Sequence, residues 1–275
     1  MPIFNYIITI HNKEDILQRV LDGVEICASE SSIIYTVLDG CTDRSEEIVN
    51  EFIRKTNKTV IVIKTPDVHE ILSINAALRK IKKGFTICLQ DDVVLQEPDL
   101  EKKIELLYRK EGPKLGVISF CRAANLRRTS FLKQIRYFQL KPLVEECDLV
   151  KVENDPCYGG EVVEYEKLVY RMVAIKSPVC IPETVLEKVG LLDENLAPYL
   201  WDDHEYCIRA MKAGFLNGLF PLRFTSKLEW GGTRRDSNFA RQSYLIHLRN
   251  RRYIWQKHGE FISQYWRAKS GTANT

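Results

Sequence analysis

Short apolar runs alternate along the first ninety residues with segments whose apolar positions recur at helical spacing. FNYIITI (4–10) reads as a strand, and Ile16, Leu17, Val20, Leu21 and Val24 then mark one face of a helix. IIYTVL (33–38), TVIVIK (59–64) and FTICL (85–89) read as further strands. Between them the spacing predicts helices over 45–55, with Ile48, Val49, Phe52 and Ile53 inward, and over 71–81. Strands alternating with helices imply βαβ units and a largely parallel sheet. The apolar runs lack strict alternation, as expected of strands covered on both faces.

Downstream the pattern is less regular. It predicts a helix over 98–110, a strand over 115–120, a strand over 168–175, and helices over 183–189 and 201–213. Residues 121–166, including CYGGE (157–161), are mixed and polar and carry no clear element. A last helix is expected from about 238 to 258. There is no internal repeat and no low-complexity linker.

Composition narrows the class. The 275 residues are 45% hydrophobic and 28% charged, with 40 Lys+Arg against 37 Asp+Glu and a formal net charge of +3. These values suit a globular protein with a sizeable core and exclude disorder, collagen and coiled coil as the main architecture. No apolar run is long enough to span a bilayer, and the N-terminal MPIFNYIITIHNKED reads as a strand rather than a signal peptide. None of the eight cysteines (27, 41, 88, 121, 147, 157, 180 and 207) forms a CxxC pair, so buried thiols of a reducing cytoplasm are expected. The charge is split, however. Residues 234–275 hold nine Lys/Arg and two acids, a local +7, which leaves −4 on the rest.

In an open parallel sheet, ligands bind beyond the carboxyl ends of the strands. Polar residues cluster there: Thr9, His11 and Asn12 after strand one, Asp39 in LDGCTDRS after strand two, and Gln90, Asp91 and Asp92 after strand four. Each has a local explanation, because Asp and Thr also form turns and helix caps. Adjacent carboxylates beside a second acidic strand end, however, repel one another unless a cation is present. Such oxygen-rich sites suit Mg²⁺ or Mn²⁺ shared with phosphates. A fourth cluster, WDDHEYCIRAMKAGF (201–215), places Trp201, His204, Cys207, Ile208 and Met211 on one helix face. Asp203 falls at the edge of that face and Asp202 points away. Desolvation there would raise the Asp203 pKa, whereas the first helical turn would lower it. Glu205 and Arg209 are spaced for a surface pair.

In this order the clusters resemble the family 2 inverting glycosyltransferases of the GT-A fold. His11-Asn12 stands where that family has a Tyr-Asn-like pair. Asp39-Gly40-Cys41-Thr42-Asp43-Arg44-Ser45 matches Asp-Gly-Ser-x-Asp-x-Ser/Thr. Asn75 matches an Asn near the start of a helix, and Gln90-Asp91-Asp92 matches the DxD-type motif. Gly190-Leu191-Leu192-Asp193-Glu194 and Trp201-Asp202-Asp203-His204-Glu205 match Gly-x-Phe-Asp-Glu and Trp-Glu-Asp-x-Asp. The departures are Gln90 for the first acid of the metal motif, Cys41 for Ser, and Glu229 near where a metal-binding His often stands.

The resemblance implies an α/β, Rossmann-like, mostly parallel sheet flanked by helices. A GT-A domain would span 1–233, with a nucleotide-sugar half at 1–97 and an acceptor half at 98–233, followed by a basic helical extension at 234–275. It implies transfer of a hexose-like sugar from a nucleoside diphosphate to an acceptor hydroxyl with inversion, in glycan or polysaccharide synthesis. Asp203, aided by Asp202, would be the catalytic base. Thr9, His11, Asn12, Asp39, Asn75 and Asp91 would hold the nucleotide-sugar. Asp92, together with Glu229, would hold Mn²⁺ or Mg²⁺. A non-catalytic sugar-binding scaffold is the alternative; a nucleotidyltransferase is disfavoured because IHNKED has no glycine. P-loop, dinucleotide, HExxH and GxSxG motifs are absent. The tail segment RQSYLIHLRNRRYIWQKHG (241–259) mixes aromatic, aliphatic and basic residues, which suits either a helix packed on the domain or peripheral contact with a membrane and a lipid-linked acceptor. The expected location is the cytoplasm or the inner membrane surface. No nucleic-acid motif is present.

Overall fold

The computed structural model describes residues 2–136, 141–155, 159–231 and 237–271. Its first half follows the sequence pattern closely: β1 (Phe4–Ile10), α1 (Leu17–Cys27), β2 (Ile33–Asp39), α2 (Ser45–Lys55), β3 (Thr59–Thr65), α3 (His69–Leu78) and β4 (Phe85–Gln90). These strands run parallel in the spatial order β4-β1-β2-β3. Every residue of β1 is buried. Phe4, Tyr6, Ile8 and Ile10 enter one core, and Ile7 enters the core on the opposite face. A strand with two apolar sides must be covered twice, which explains why its sequence does not alternate. Each fully buried Ile contributes about 1.5–3 kcal/mol of transfer free energy.

The second half continues with β5 (Val93–Leu95), α4 (Leu100–Glu111), β6 (Leu115–Ser119), β7 (Arg122–Arg128), α5 (Phe131–Arg136), β8 (Val144–Lys151) and β9 (Glu161–Val162). Then come β10 (Val169–Tyr170), β11 (Val173–Ile175), β12 (Val179–Ile181), α6 (Glu183–Val189), α7 (Asp202–Lys212), β13 (Leu216–Leu219), β14 (Phe224–Ser226) and α8 (Ser237–Gly271). The main sheet has eight strands, ordered β10-β13-β6-β12-β4-β1-β2-β3, with β12 antiparallel to both neighbours. A second sheet, β11-β7-β8-β9, lies in the region that the pattern left without clear elements. The single strand expected over 168–175 is two short strands belonging to different sheets. Tyr170 lies on an edge, and Val173 is buried against β7. The strands of this half are two to eight residues long and pair with distant partners, so no local period announces most of them.

The last helix runs well past the expected end at 258. Ile254 and Ile262 are fully buried in the second core, and the Trp266 indole donates to the Leu126 carbonyl of β7. Part of its charge is engaged by the domain. Arg251 donates to the Val144 carbonyl, Arg249 to the Ala197 carbonyl, and Lys257 to Asp193 and Glu205. The described cysteines are all free thiols, most of them buried; Cys157 lies outside the described residues, as do Arg234 and Arg235.

Candidate active site

The carboxyl ends of β1, β2 and β4 border a cavity of about 340 Å³ lined by Thr9, His11, Lys13, Asp39, Asp91 and Asp92. Strand register sets this grouping: Thr9 lies beside Val37 on one neighbour and beside Gln90 on the other. The Asp39 carboxylate accepts hydrogen bonds from the backbone N–H groups of Val68 (2.7 Å) and His69 (2.9 Å) and from the Thr65 hydroxyl. It therefore both caps the entry to α3 and lines the cavity. Gly40 follows with φ +59°, and a Cβ there would meet Asp67 at 2.6 Å, so the turn requires glycine.

Asp91 accepts from the His11 backbone N–H at 2.8 Å and sits 3.8 Å from the Lys13 ammonium. Burial pushes its pKa up to about 7 against these partners, and Asp92 and Glu70 add to the rise. The cavity wall thus concentrates carboxylates around one lysine. Those oxygens fit a hard divalent cation, and Asp92 lines both this cavity and a neighbouring one of about 160 Å³. Among the described residues His11, Asp39 and Asp67 also bring ligand atoms within 4.8 Å of one another. However, His11 Nδ1 lies 2.6 Å from the Asp39 carbonyl oxygen, which can only accept. Nδ1 therefore carries the proton and is not a ligand.

A second cavity, of about 500 Å³, adjoins the first and shares Glu70, Gln90 and Leu200 with it. Asp203 lines this cavity. Its Oδ2 accepts from the Lys176 backbone N–H at 2.9 Å, and its Oδ1 accepts from His204 N (2.8 Å) and Nδ1 (2.6 Å). The other His204 nitrogen, Nε2, lies 2.8 Å from Glu146 of β8, and the Trp201 ring lies tilted at 39° with its centroid 4.1 Å away. Burial alone would lower the His204 pKa; the two carboxylates outweigh it and push it up to about 10. Burial alone would raise Asp203; the adjacent imidazolium and Lys176 outweigh that and hold it well below the ordinary range. Of the two opposing influences weighed from sequence, neither decides the value. An unanticipated pair of neighbours does.

Leu200 and Trp201, at the entry to α7, both have left-handed backbones, φ +73° and +69°. Such residues persist only where the surroundings over-determine them. The fully buried Asn250 of α8 does so here, donating to the carbonyls of Leu196, Tyr199 and Leu200.

Several sequence expectations change. Asp202 does not point outward: it is 0% exposed, and Lys176 Nζ contacts it at 2.5 Å and Glu70 at 3.1 Å. Burial pushes its pKa upward despite that lysine. Glu205 and Arg209 do pair, at 2.8 Å, but Glu205 is fully buried, because α8 covers it with Lys257 and His258. Asn75 is also fully buried and lines neither cavity; its amide ties α3 to Leu192 and Glu194. Asn12 spends its carbonyl on the backbone N–H groups of Thr42 and Asp43. Glu229 is 69% exposed beside Lys227 and lines neither cavity bordered by Asp92. Gln90 departs from the acidic motif for a visible reason. Its amide donates to Glu70 at 2.8 Å, where a carboxylate would repel. Sequence reading missed Glu70, Glu146, Lys176 and His247, which reach the site from α3, β8, the end of β11 and α8.

The family model "Glycosyltransferase like family 2" matches residues 2–251, and the chain belongs to that family. No curated protein matches it. Among solved structures, GalNAc-T7 with UDP, GalNAc and Mn²⁺ superposes with TM-score 0.64 at 12% identity, covering 93% of this chain and 48% of that one. S. aureus TarS 1-349 in complex with UDP-GlcNAc gives 0.57 at 13%, covering 88% and 65%. The Pyrobaculum calidifontis mannosyltransferase PcManGT with GDP-Man and Mn²⁺ gives 0.55 at 13%, covering 80% and 55%. At these identities the likeness establishes the GT-A-like fold alone. The chain spans less than two thirds of the length of each.

Proposed function

We propose that the protein transfers a sugar from a nucleoside-diphosphate sugar to an acceptor hydroxyl with inversion of the anomeric centre. The observation that carries this reading is the pair of adjoining cavities, one walled by strand-end carboxylates and the other holding Asp203. Thr9, Asp39 and the backbone around His11 hold the nucleotide, with Asp91 bracing His11. Asp92 would hold a divalent cation, which when bound would neutralise charge on the diphosphate leaving group. The acceptor enters the second cavity. Its oxygen bonds to the anomeric carbon as the carbon–phosphate oxygen bond breaks, and its proton passes to Asp203. A weakly basic carboxylate suffices, because the hydroxyl becomes strongly acidic as its oxygen bonds to carbon. His204, between Asp203 and Glu146, orients the base, and Lys176 holds Asp202 and Glu70 behind it. Asn12, Asn75 and Asp202 support the site from outside the cavities.

The UDP-GlcNAc and GDP-Man of the solved relatives make uridine and guanosine diphosphate sugars the first donors to assay. The acceptor is a glycan or lipid-linked hydroxyl, and the setting is the cytoplasmic side of the cell. A panel of nucleotide-sugars with Mn²⁺ or Mg²⁺, followed by release of nucleoside diphosphate, tests the reading. Release abolished in Asp203→Asn with nucleotide binding intact supports it. Nucleotide-sugar binding without turnover on any donor and acceptor pair favours the non-catalytic alternative.

A further inference from the structure

The short helix α5 presents Phe131 (73% exposed), Leu132 (79%) and Ile135 (56%) to solvent. Positions i, i+1 and i+4 share one helix face, so the three form an apolar edge rather than scattered exceptions. The first turns of α8 add Tyr244 and Leu245, both exposed. The two segments meet through Arg251, whose guanidinium contacts the Thr129 hydroxyl (3.3 Å) and the Val144 carbonyl (2.7 Å). Phe131 is two residues from Thr129, and Leu245 is six helical residues from Arg251. Each set therefore lies within roughly 10 Å of that junction.

The two segments that carry this edge are themselves basic. Residues 127–136 contain Arg127, Arg128, Lys133 and Arg136 and no acid, and residues 237–259 also contain no acid. The buried Glu145 pairs with Arg127 and Lys133, and Asp148 of β8 also acts on Arg127. Arg251 is buried, and Arg249 and Lys257, though exposed, are engaged by the Ala197 carbonyl and by Glu205, so a partner meets less than the tail's bulk charge. Exposed aromatic and aliphatic side chains rimmed by Lys and Arg match an anionic bilayer, where the apolar edge enters the acyl boundary and the cations remain with the headgroups. Nucleic acid would use the charge but has no use for Leu132 or Ile135.

We propose that α5 and the first turns of α8 form a membrane-docking surface for anionic lipid. α8 carries this surface and the site on one rod: Ser243 lines the first cavity and His247 the second. Docking would hold the mouth of the acceptor cavity at the lipid surface, within reach of a lipid-linked hydroxyl.

The test uses the full chain and vesicle flotation without nucleotide-sugar, so its outcome does not depend on whether transfer occurs. Vesicles of phosphatidylcholine with phosphatidylglycerol should carry the protein, vesicles of phosphatidylcholine alone should not, and added salt should weaken binding. Phe131→Ser/Leu132→Ser should lower partitioning at least about tenfold, as expected for two such side chains kept out of an apolar medium. Leu245→Ser, on the other helix, should lower it less. Both side chains of the double variant are exposed, so its melting temperature should be unchanged. Binding undiminished in the double variant, or no binding to either vesicle, overturns the proposal. So does a concentration-dependent dimer that the double variant abolishes, since the edge would then belong to a second copy.

Discussion

The two cavities are built in different ways. Around the first, carboxylates at the ends of neighbouring parallel strands are held largely by backbone: Asp39 by the N–H groups of Val68 and His69, Asp91 by that of His11. Around the second, side chains from α3, β8, α7, the end of β11 and α8 form a charged network. Glu70 and Asp202 meet on Lys176, Asp203 and Glu146 meet on His204, and Lys257 and His258 meet on Glu205. A backbone-held site inherits its geometry from the sheet. A network-held site exists only once distant segments have docked, and each member's protonation depends on the others. Gln90 bridges the two, because its amide donates to Glu70, which lines both cavities.

This contrast can be broken at graded strength. The largest effect should come from Glu205→Ala, which leaves Arg209, Lys257 and His258 facing one another in a buried position. A loss of about 3–5 kcal/mol is expected in denaturant unfolding; a loss below 1 kcal/mol would show that α8 does not depend on this carboxylate. Next, Asp203→Asn should lower turnover by roughly 10²–10⁴-fold while nucleotide affinity, read by titration calorimetry, stays within about twofold. Full activity would remove Asp203 as the proton acceptor. Asn250→Ala withdraws the donor that holds the Leu200–Trp201 turn and should cost about 1–3 kcal/mol together with part of the turnover.

A smaller effect is the pH response of His204. Its folded pKa, about 10, lies above its ordinary value near 6.5. Its stabilisation is therefore complete below pH 6.5 and declines as pH rises through 10. Wild-type unfolding free energy should fall across that window, and His204→Gln should flatten the decline. An identical decline in both proteins would assign it to other groups. The smallest effect belongs to Glu229→Ala: stability within about 0.5 kcal/mol and unchanged metal dependence, as for an exposed side chain outside the site. A raised metal requirement in that variant would return Glu229 to the cation.

Legibility from sequence follows the same division. The alternation of strands and helices up to Gln90 is written in local periodicity, and Thr9, Asp39, Asp91 and Asp92 converge because strand ends in one sheet are adjacent. The short strands β7 to β13 were mostly not legible. Their length gives little period, and their partners lie far along the chain. Asp203 could be picked out by its motif, but not what surrounds it. His204 read as part of an apolar face, and Glu146 lay in a stretch with no clear element. Asn75 matched a motif position, yet tertiary packing places it between two protein segments rather than against a ligand.

The spacing of apolar and polar positions determined, by itself, the parallel half of the sheet and the strand ends where Thr9, Asp39, Asp91 and Asp92 gather. Those properties rest on short apolar runs alternating with segments of 3.6-residue period, which are local. Only the tertiary structure decided which charges are buried and against what. It turned Asp202 and Glu205 inward, made His204 a shared cation, and buried Arg251 of the tail while leaving an apolar edge on α5 exposed. A side chain's solvation and its neighbours' charges are long-range properties, and they come into existence only when segments distant along the chain pack together.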